Sequence, residues 1–133
     1  MREGRLKRAA LTLGLALALG ACASLAPKSA WVQDTLYFGL SKPGGEVSQR
    51  DWQDFVDAQV TPRFPDGLTQ WKAEGQWKET GKGTAKEGSR VLQIVHTDDP
   101  AAEAKIQAIR QAYRNEFIQT SVLRVKQGAG VEF

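Results

Sequence analysis

The feature that most restricts the fold is the order in which the hydrophobic period changes along the chain. Leu36, Phe38 and Leu40 alternate with Thr35, Tyr37 and Gly39, which is the period of a strand. After the turn or loop Ser41-Lys42-Pro43-Gly44-Gly45 the period changes. Trp52, Phe55, Val56 and Val60 fall on one helical face, behind Ser48 as N-cap with Asp51 as capping-box partner. Thr61-Pro62 ends that helix, because the residue before proline is pushed out of the α region. A stiff connector over 62–68, with two prolines and an Asp66-Gly67 turn, leads into a second strand over 68–78. There Trp71, Ala73, Gly75 and Trp77 share one side.

Glu79 to Ser89 is polar, contains Gly81, Gly83 and Gly88, and reads as a long hairpin connection. The third strand, 90–97, carries Val91-Leu92-Gln93-Ile94-Val95 and suits a central place in a sheet. Asp98-Asp99-Pro100 opens a second helix with its apolar stripe at Ala102, Ile106, Ile109, Tyr113 and Phe117. A fourth strand is expected over 119–126. The order βαββαβ predicts an α+β, ferredoxin-like fold: a four-stranded antiparallel sheet with two helices on one face.

Upstream of this domain stands Leu19-Gly20-Ala21-Cys22. Arg2, Arg5, Lys7 and Arg8 make a basic start, an uncharged Leu/Ala run follows, and small residues precede the cysteine. That is the layout of a secretory signal, and the run is shorter than the roughly 20 apolar residues a spanning helix needs. The motif resembles the bacterial lipobox, with Cys22 as the lipidated residue. Cys22 is also the only cysteine, so no disulfide can form within the chain. The expected organisation is a signal peptide at 1–21, lipidated cysteine and linker at 22–31, domain at 32–127 and tail at 128–133. Ala23 after Cys22 points to the outer membrane facing the periplasm, since an Asp there would favour inner-membrane retention.

Removing 21 residues from 133 leaves 112, the size of one domain. The net charge of +3 belongs to the leader. Four Lys/Arg and one Glu lie before Cys22, so 14 charges of each sign remain after cleavage. No basic stripe suggests nucleic acid.

Several stretches also resemble a known family. They are Leu36-Tyr37-Phe38-Gly39, Trp52-x-x-Phe55, Thr61-Pro62-Arg63-Phe64-Pro65-Asp66-Gly67-Leu68-Thr69, Gly75-Gln76-Trp77 and Gln119-x-Ser121-Val122-Leu123. The resemblance is to small bacterial lipoproteins grouped as domain of unknown function family 3574, and it runs from about Thr35 to Val125. It implies a lipoprotein with this kind of domain and brings no established activity. Where that family often has Glu, this chain has Thr120.

The chemistry-bearing residues are sparse. His96 is the sole histidine and reads as a strand-end or helix-cap residue ahead of a catalytic base. Gly39-Leu40-Ser41-Lys42-Pro43 fails the nucleophile-elbow pattern at its last position, and Gly81-Lys82-Gly83-Thr84 lacks the phosphate-loop spacing. One histidine and no spaced ligand pair give no metal site, and no cofactor motif stands out. Asp51, Asp54 and Asp57 read as a solvated helix face.

If Leu36, Phe38, Leu40, Leu92 and Ile94 face the helices, the opposite sheet face inherits Tyr37, Val91, Val95 and Val122. Trp71 and Trp77 either join that face or pack beneath the helices, because periodicity does not choose the side. Arg63, Gln93 and Arg124 would supply polar contacts at its edges. The candidate binding residues are therefore Tyr37, Arg63, Trp71, Trp77, His96 and Arg124. The preferred expectation is a non-enzymatic, membrane-anchored envelope module. Its open sheet face would bind a partner subunit, including a second copy of the chain, or a small ligand. The alternative is a small-substrate enzyme of the dimeric α+β barrel type using Tyr37, His96 or Arg124.

Overall fold

The computed structural model describes residues 30–133. The signal segment, Cys22 and most of the linker lie outside the described residues. Strand β1 (Trp31–Gly39) is followed by a small hairpin of β2 (Ser41–Lys42) and β3 (Gly45–Glu46), then by helix α1 (Gln49–Phe55), which continues as a π-helical turn over Val56–Val60. Strands β4 (Thr69–Glu79) and β5 (Gly83–Thr97), helix α2 (Pro100–Phe117) and strand β6 (Leu123–Ala129) complete the order. The main sheet runs β4-β5-β1-β6 with every pair antiparallel, so β1 and β5 are central. This is the expected α+β, ferredoxin-like arrangement.

Local chemistry explains the helix boundaries. The Ser48 hydroxyl accepts from the Asp51 amide and the Asp51 carboxylate accepts from the Ser48 amide, each at 3.0 Å, satisfying two otherwise orphaned donors. Thr61-Pro62 does not stop the helix cleanly. The last turn widens instead, and the Thr61 amide donates back to the Val56 carbonyl at 2.9 Å. The wider turn keeps both Val56 and Val60 buried. Helix α2 has Asp99 as N-cap with Pro100 behind it, and its five-residue apolar stripe is buried as the spacing predicts.

The core lies between the helices and one sheet face. Leu36, Phe38, Leu92 and Ile94 meet Trp52, Phe55, Ile106, Ile109 and Tyr113 there. The Tyr113 hydroxyl donates to the Gly39 carbonyl at 2.8 Å, so the one polar atom of that ring is satisfied.

Three boundaries differ from the sequence reading. The polar stretch 79–89 is mostly strand: β4 and β5 stay paired out to Glu79 and Gly83, around a tight turn with Gly81 at φ 79°. Polar composition marked solvent exposure there and not a loop. The fourth strand starts at Leu123 instead of Gln119, because the chain must first cross from the end of α2. Val122 is consequently core, not open face, and its carbonyl is held by the Arg110 guanidinium at 2.9 and 3.2 Å. Strand β1 begins four residues earlier than the alternation from Thr35 suggested, which brings in a residue of consequence, Asp34.

Candidate functional site

Strand register assigns every side chain to a face. In β1 the even-numbered residues, among them Leu36 and Phe38, point at the helices, so Trp31, Gln33, Thr35 and Tyr37 point away. Their partners share that side. Tyr37 lies opposite Val91 and Leu123, and Val91 lies opposite Trp71. Thr35 lies opposite Gln93 and Val125, and Gln93 opposite Thr69. Trp71 and Trp77 therefore stand on the open face and do not pack beneath the helices; they are 41% and 47% exposed. Tyr37, Val95, Leu123 and Val125 are exposed with them.

The charge pattern of the two faces is opposite. A quarter of the chain is Asp, Glu, Lys or Arg, yet none of the open-face positions named above carries a charge. On the helix side the same strands present Asp34, Arg90, His96, Arg124 and Lys126. The first charge met along the open face is Glu87. Its carboxylate already accepts from the Ser41 amide at 2.7 Å, over Gly39, where a Cβ would sit only 2.7 Å from it.

On the helix side the sequence reading missed a buried ionic cluster. Asp34 is fully buried and His96 is 6% exposed. The Arg124 guanidinium grips Asp34 with two donors, Nε to Oδ1 at 2.7 Å and Nη2 to Oδ2 at 2.8 Å. It also reaches the Glu103 carboxylate at 2.5 and 2.8 Å. Lys126 adds contacts to Asp98 at 2.7 Å and Glu103 at 3.3 Å. His96 Nε2 lies 2.7 Å from Asp34 Oδ2, and Nδ1 lies 2.7 Å from the Thr97 carbonyl. The His96 ring is thus held at both nitrogens, between the Asp34 carboxylate and the backbone of β5. Arg124 and Lys126 are the two cations that meet the three carboxylates of Asp34, Asp98 and Glu103.

This cluster corrects one placement and completes another. Arg124 was expected at the edge of the open face; it pairs across from Leu36 and faces the helices. His96 is at the strand end, next to last in β5, and its ring turns inward as a partner of Asp34 instead of joining the open face. The period-2 rule extended backwards would have found Asp34, since it continues the Leu36–Phe38 series towards Val32. Tyr37 lies on the opposite side of the sheet from His96 and Arg124, so the three do not converge on one substrate. Arg63 is held by Gln59, at 2.6 Å from its carbonyl and 3.0 Å from its side-chain oxygen. It lines an open cleft of about 1020 Å³ at the end of the sheet, together with Trp31, Gln93, Lys105 and Phe133. Among the described residues no three His, Cys, Asp or Glu side chains come together to hold a metal, and no helix is long and apolar enough to cross a membrane.

The cluster sets a pH dependence. Hydrogen bonds from Arg124, then Gln107, hold the Glu103 carboxyl well below its usual range. Hydrogen bonds at Ser48 and at Thr97 lower Asp51 and Asp99 in the same direction. Depressed carboxylates contribute stability above their unfolded value of about 4 and lose it as pH falls below. Burial pushes the Tyr113 phenol up, so its contribution is present below about pH 10 and is lost above. The melting temperature is expected to be flat from about pH 5 to about pH 9 and to fall on both sides. Glu103→Gln should flatten part of the acid limb. Thermal melts followed by circular dichroism at stepped pH check this, and an unchanged acid limb in the variant would refute the role given to Glu103.

Comparison with known proteins shows the fold and the family. The domain is similar to a phage SAM lyase in complex with S-methyl-5'-thioadenosine, with 18% identity and a TM-score of 0.60, over 75% of this chain and 82% of that one. It is also similar to CutA from Synechococcus elongatus PCC7942, with 11% identity and a TM-score of 0.51, over 77% and 80% of the two chains. At these identities the likeness is one of fold alone. No curated protein matches the chain in sequence. The family profile described as "Protein of unknown function (DUF3574)" matches residues 33–133, from the third residue of β1 to Phe133, and the chain belongs to that family.

Proposed function

We propose that this protein is a lipid-anchored module of the bacterial envelope that binds through its open sheet face and catalyses no reaction. Cys22 carries the lipid, and the domain sits on the outer membrane facing the periplasm. The observation behind the binding role is the uncharged, aromatic sheet face, with Tyr37, Trp71, Val95, Leu123 and Val125 exposed. Exposed apolar patches of this kind mark interaction surfaces. The best candidate for proton transfer, His96, has both ring nitrogens engaged and supports the non-enzymatic reading.

A rival reading, a small-substrate enzyme, draws on the cleft beside Arg63 and Lys105 and on the fold shared with a phage SAM lyase. It would have to work without the Tyr37–His96–Arg124 set.

Two measurements test the proposal. Intact-mass analysis of the cell-derived protein should show a chain that starts at Cys22 and carries acyl groups. Cys22→Ser should move it from the membrane to the soluble fraction. A retained leader or a bare thiol defeats the anchor. A photo-crosslinking side chain at position 71 or 125 should give adducts in intact cells, while one at position 72, on the other side of β4, should not. No adduct from either open-face position defeats the binding role.

A further inference from the structure

We infer that the open sheet face is covered by a second copy of this chain, giving a face-to-face dimer; this rests on the binding role proposed above and names the partner. Two observations carry it. The first is that the part of the face spanned by all four strands carries no charge. Every position there, from Thr69 and Trp71 in β4 through Gln93 and Tyr37 to Leu123 and Val125 in β6, is neutral, and the first charge, Glu87, lies beyond the end of β1 and is engaged by the Ser41 amide. A partner chosen by electrostatic complementarity would find little to complement there. An identical face, equally neutral at its centre, matches it without burying an unpaired charge there. A membrane surface fits less well, because interfacial faces combine aromatics with Lys or Arg that reach the headgroups, and this face has neither Lys nor Arg.

The second observation is the arm. Strand β1 ends at Gly39, opposite Ser89, but β4 and β5 remain paired to Glu79 and Gly83. Among the described residues, the outer part of that hairpin has no third strand beside it. A two-stranded ribbon is marginal in water unless something packs on it. Trp77 stands on this arm, on the same side as Trp71, and no helix among the described residues covers it. A neighbouring copy supplies the missing surface.

The dimensions suit a dimer. Four strands about 4.8 Å apart and about eight residues long give a flat area of roughly 500 Å². Side-chain relief raises this towards the about 800 Å² per partner buried in specific interfaces.

Sedimentation of the lipoprotein in detergent tests the inference, alongside residues 23–133 without the lipid; the packed core of the described residues runs from Leu36 to Val122, inside this portion, so it folds. Both should sediment as dimers at micromolar concentration. Val125→Asp should weaken the dimer at least 100-fold while the far-ultraviolet spectrum stays unchanged, and Glu74→Lys, on the other side of β4, should not. The position-71 adduct in cells should have twice the chain mass. A strict monomer at about 100 μM overturns the inference. So does an adduct to lipid or to a different protein, although the binding role then survives. Absence of any adduct removes both.

Discussion

Asp34→Ala is expected to cost about 3–5 kcal/mol, the range for removing one partner of a buried ion pair. Domains of this size are stable by about 5–15 kcal/mol, so the variant should retain little margin. The melting temperature should fall by about 12–40 °C, at about 4–8 °C per kcal/mol for a small domain. The reason is the arrangement around the carboxylate. Arg124 directs two donors at Asp34, and His96 Nε2 lies 2.7 Å from the same carboxylate. Alanine leaves the Arg124 Nε and the His96 Nε2 facing a void, with the guanidinium half-paired through Glu103 alone. The cost comes from those buried polar groups left without a partner, not from losing net attraction.

That distinction has its own outcome. Replacing all three interior members by apolar residues, as Asp34→Leu, His96→Leu and Arg124→Met, leaves no stranded charge. Replacing a whole buried ion network is often neutral or stabilising. The triple variant should therefore recover most of the melting temperature lost by Asp34→Ala alone. Glu103 would lose its main partner, but its side chain is partly exposed and can be hydrated. Thermal melts of the single and triple variants decide the matter. A single variant within about 3 °C of the parent, under the shift a 1 kcal/mol change produces, would show that Asp34 does not hold the cluster together.

The cluster also shows why the fold was more legible than the site. Periodicity is a local property. It revealed Leu36 and Phe38 in β1, all four helix-facing residues of α1 and all five of α2. The layer order follows from those faces alone. Asp34 is 62 positions from His96 and 90 from Arg124, and the three meet only because β1 pairs with both β5 and β6. No local pattern links Asp34 to Arg124. Asp has low strand propensity, and the sheet overrides it at Asp34 because Arg124 gives the carboxylate two donors and His96 packs against it. The side taken by Trp71 was open for the same reason. Alternation fixes which residues share a side, but only the register with β5 says that Trp71 lies across from Val91 and not from Leu92. The arm was misjudged because glycines and charges resemble a loop, whereas β4 and β5 pair through them.

The four tryptophans allow a second large effect to be set beside a small one. Trp52 is fully buried and packs edge-on against Phe38 at 5.1 Å and Tyr113 at 6.0 Å, with Phe55 at 6.0 Å. Edge-to-face pairs at these separations add to the burial of area. Its indole N–H donates to the Gln70 side chain on β4, which ties α1 to the sheet. Trp52→Ala is expected to destabilise by about 3–5 kcal/mol through lost contacts and the residual cavity. Trp52→Phe keeps an aromatic ring but orphans the Gln70 oxygen, so about 1–3 kcal/mol is expected. Trp71→Ala and Trp77→Ala remove equally large side chains from the open face. In a monomer they should change stability by about 0.5 kcal/mol or less, while weakening self-association. Urea unfolding read by circular dichroism, at a concentration below dimer formation, separates the two groups. If Trp71→Ala costs as much as Trp52→Ala under those conditions, Trp71 is core, and the open-face interface loses its centre.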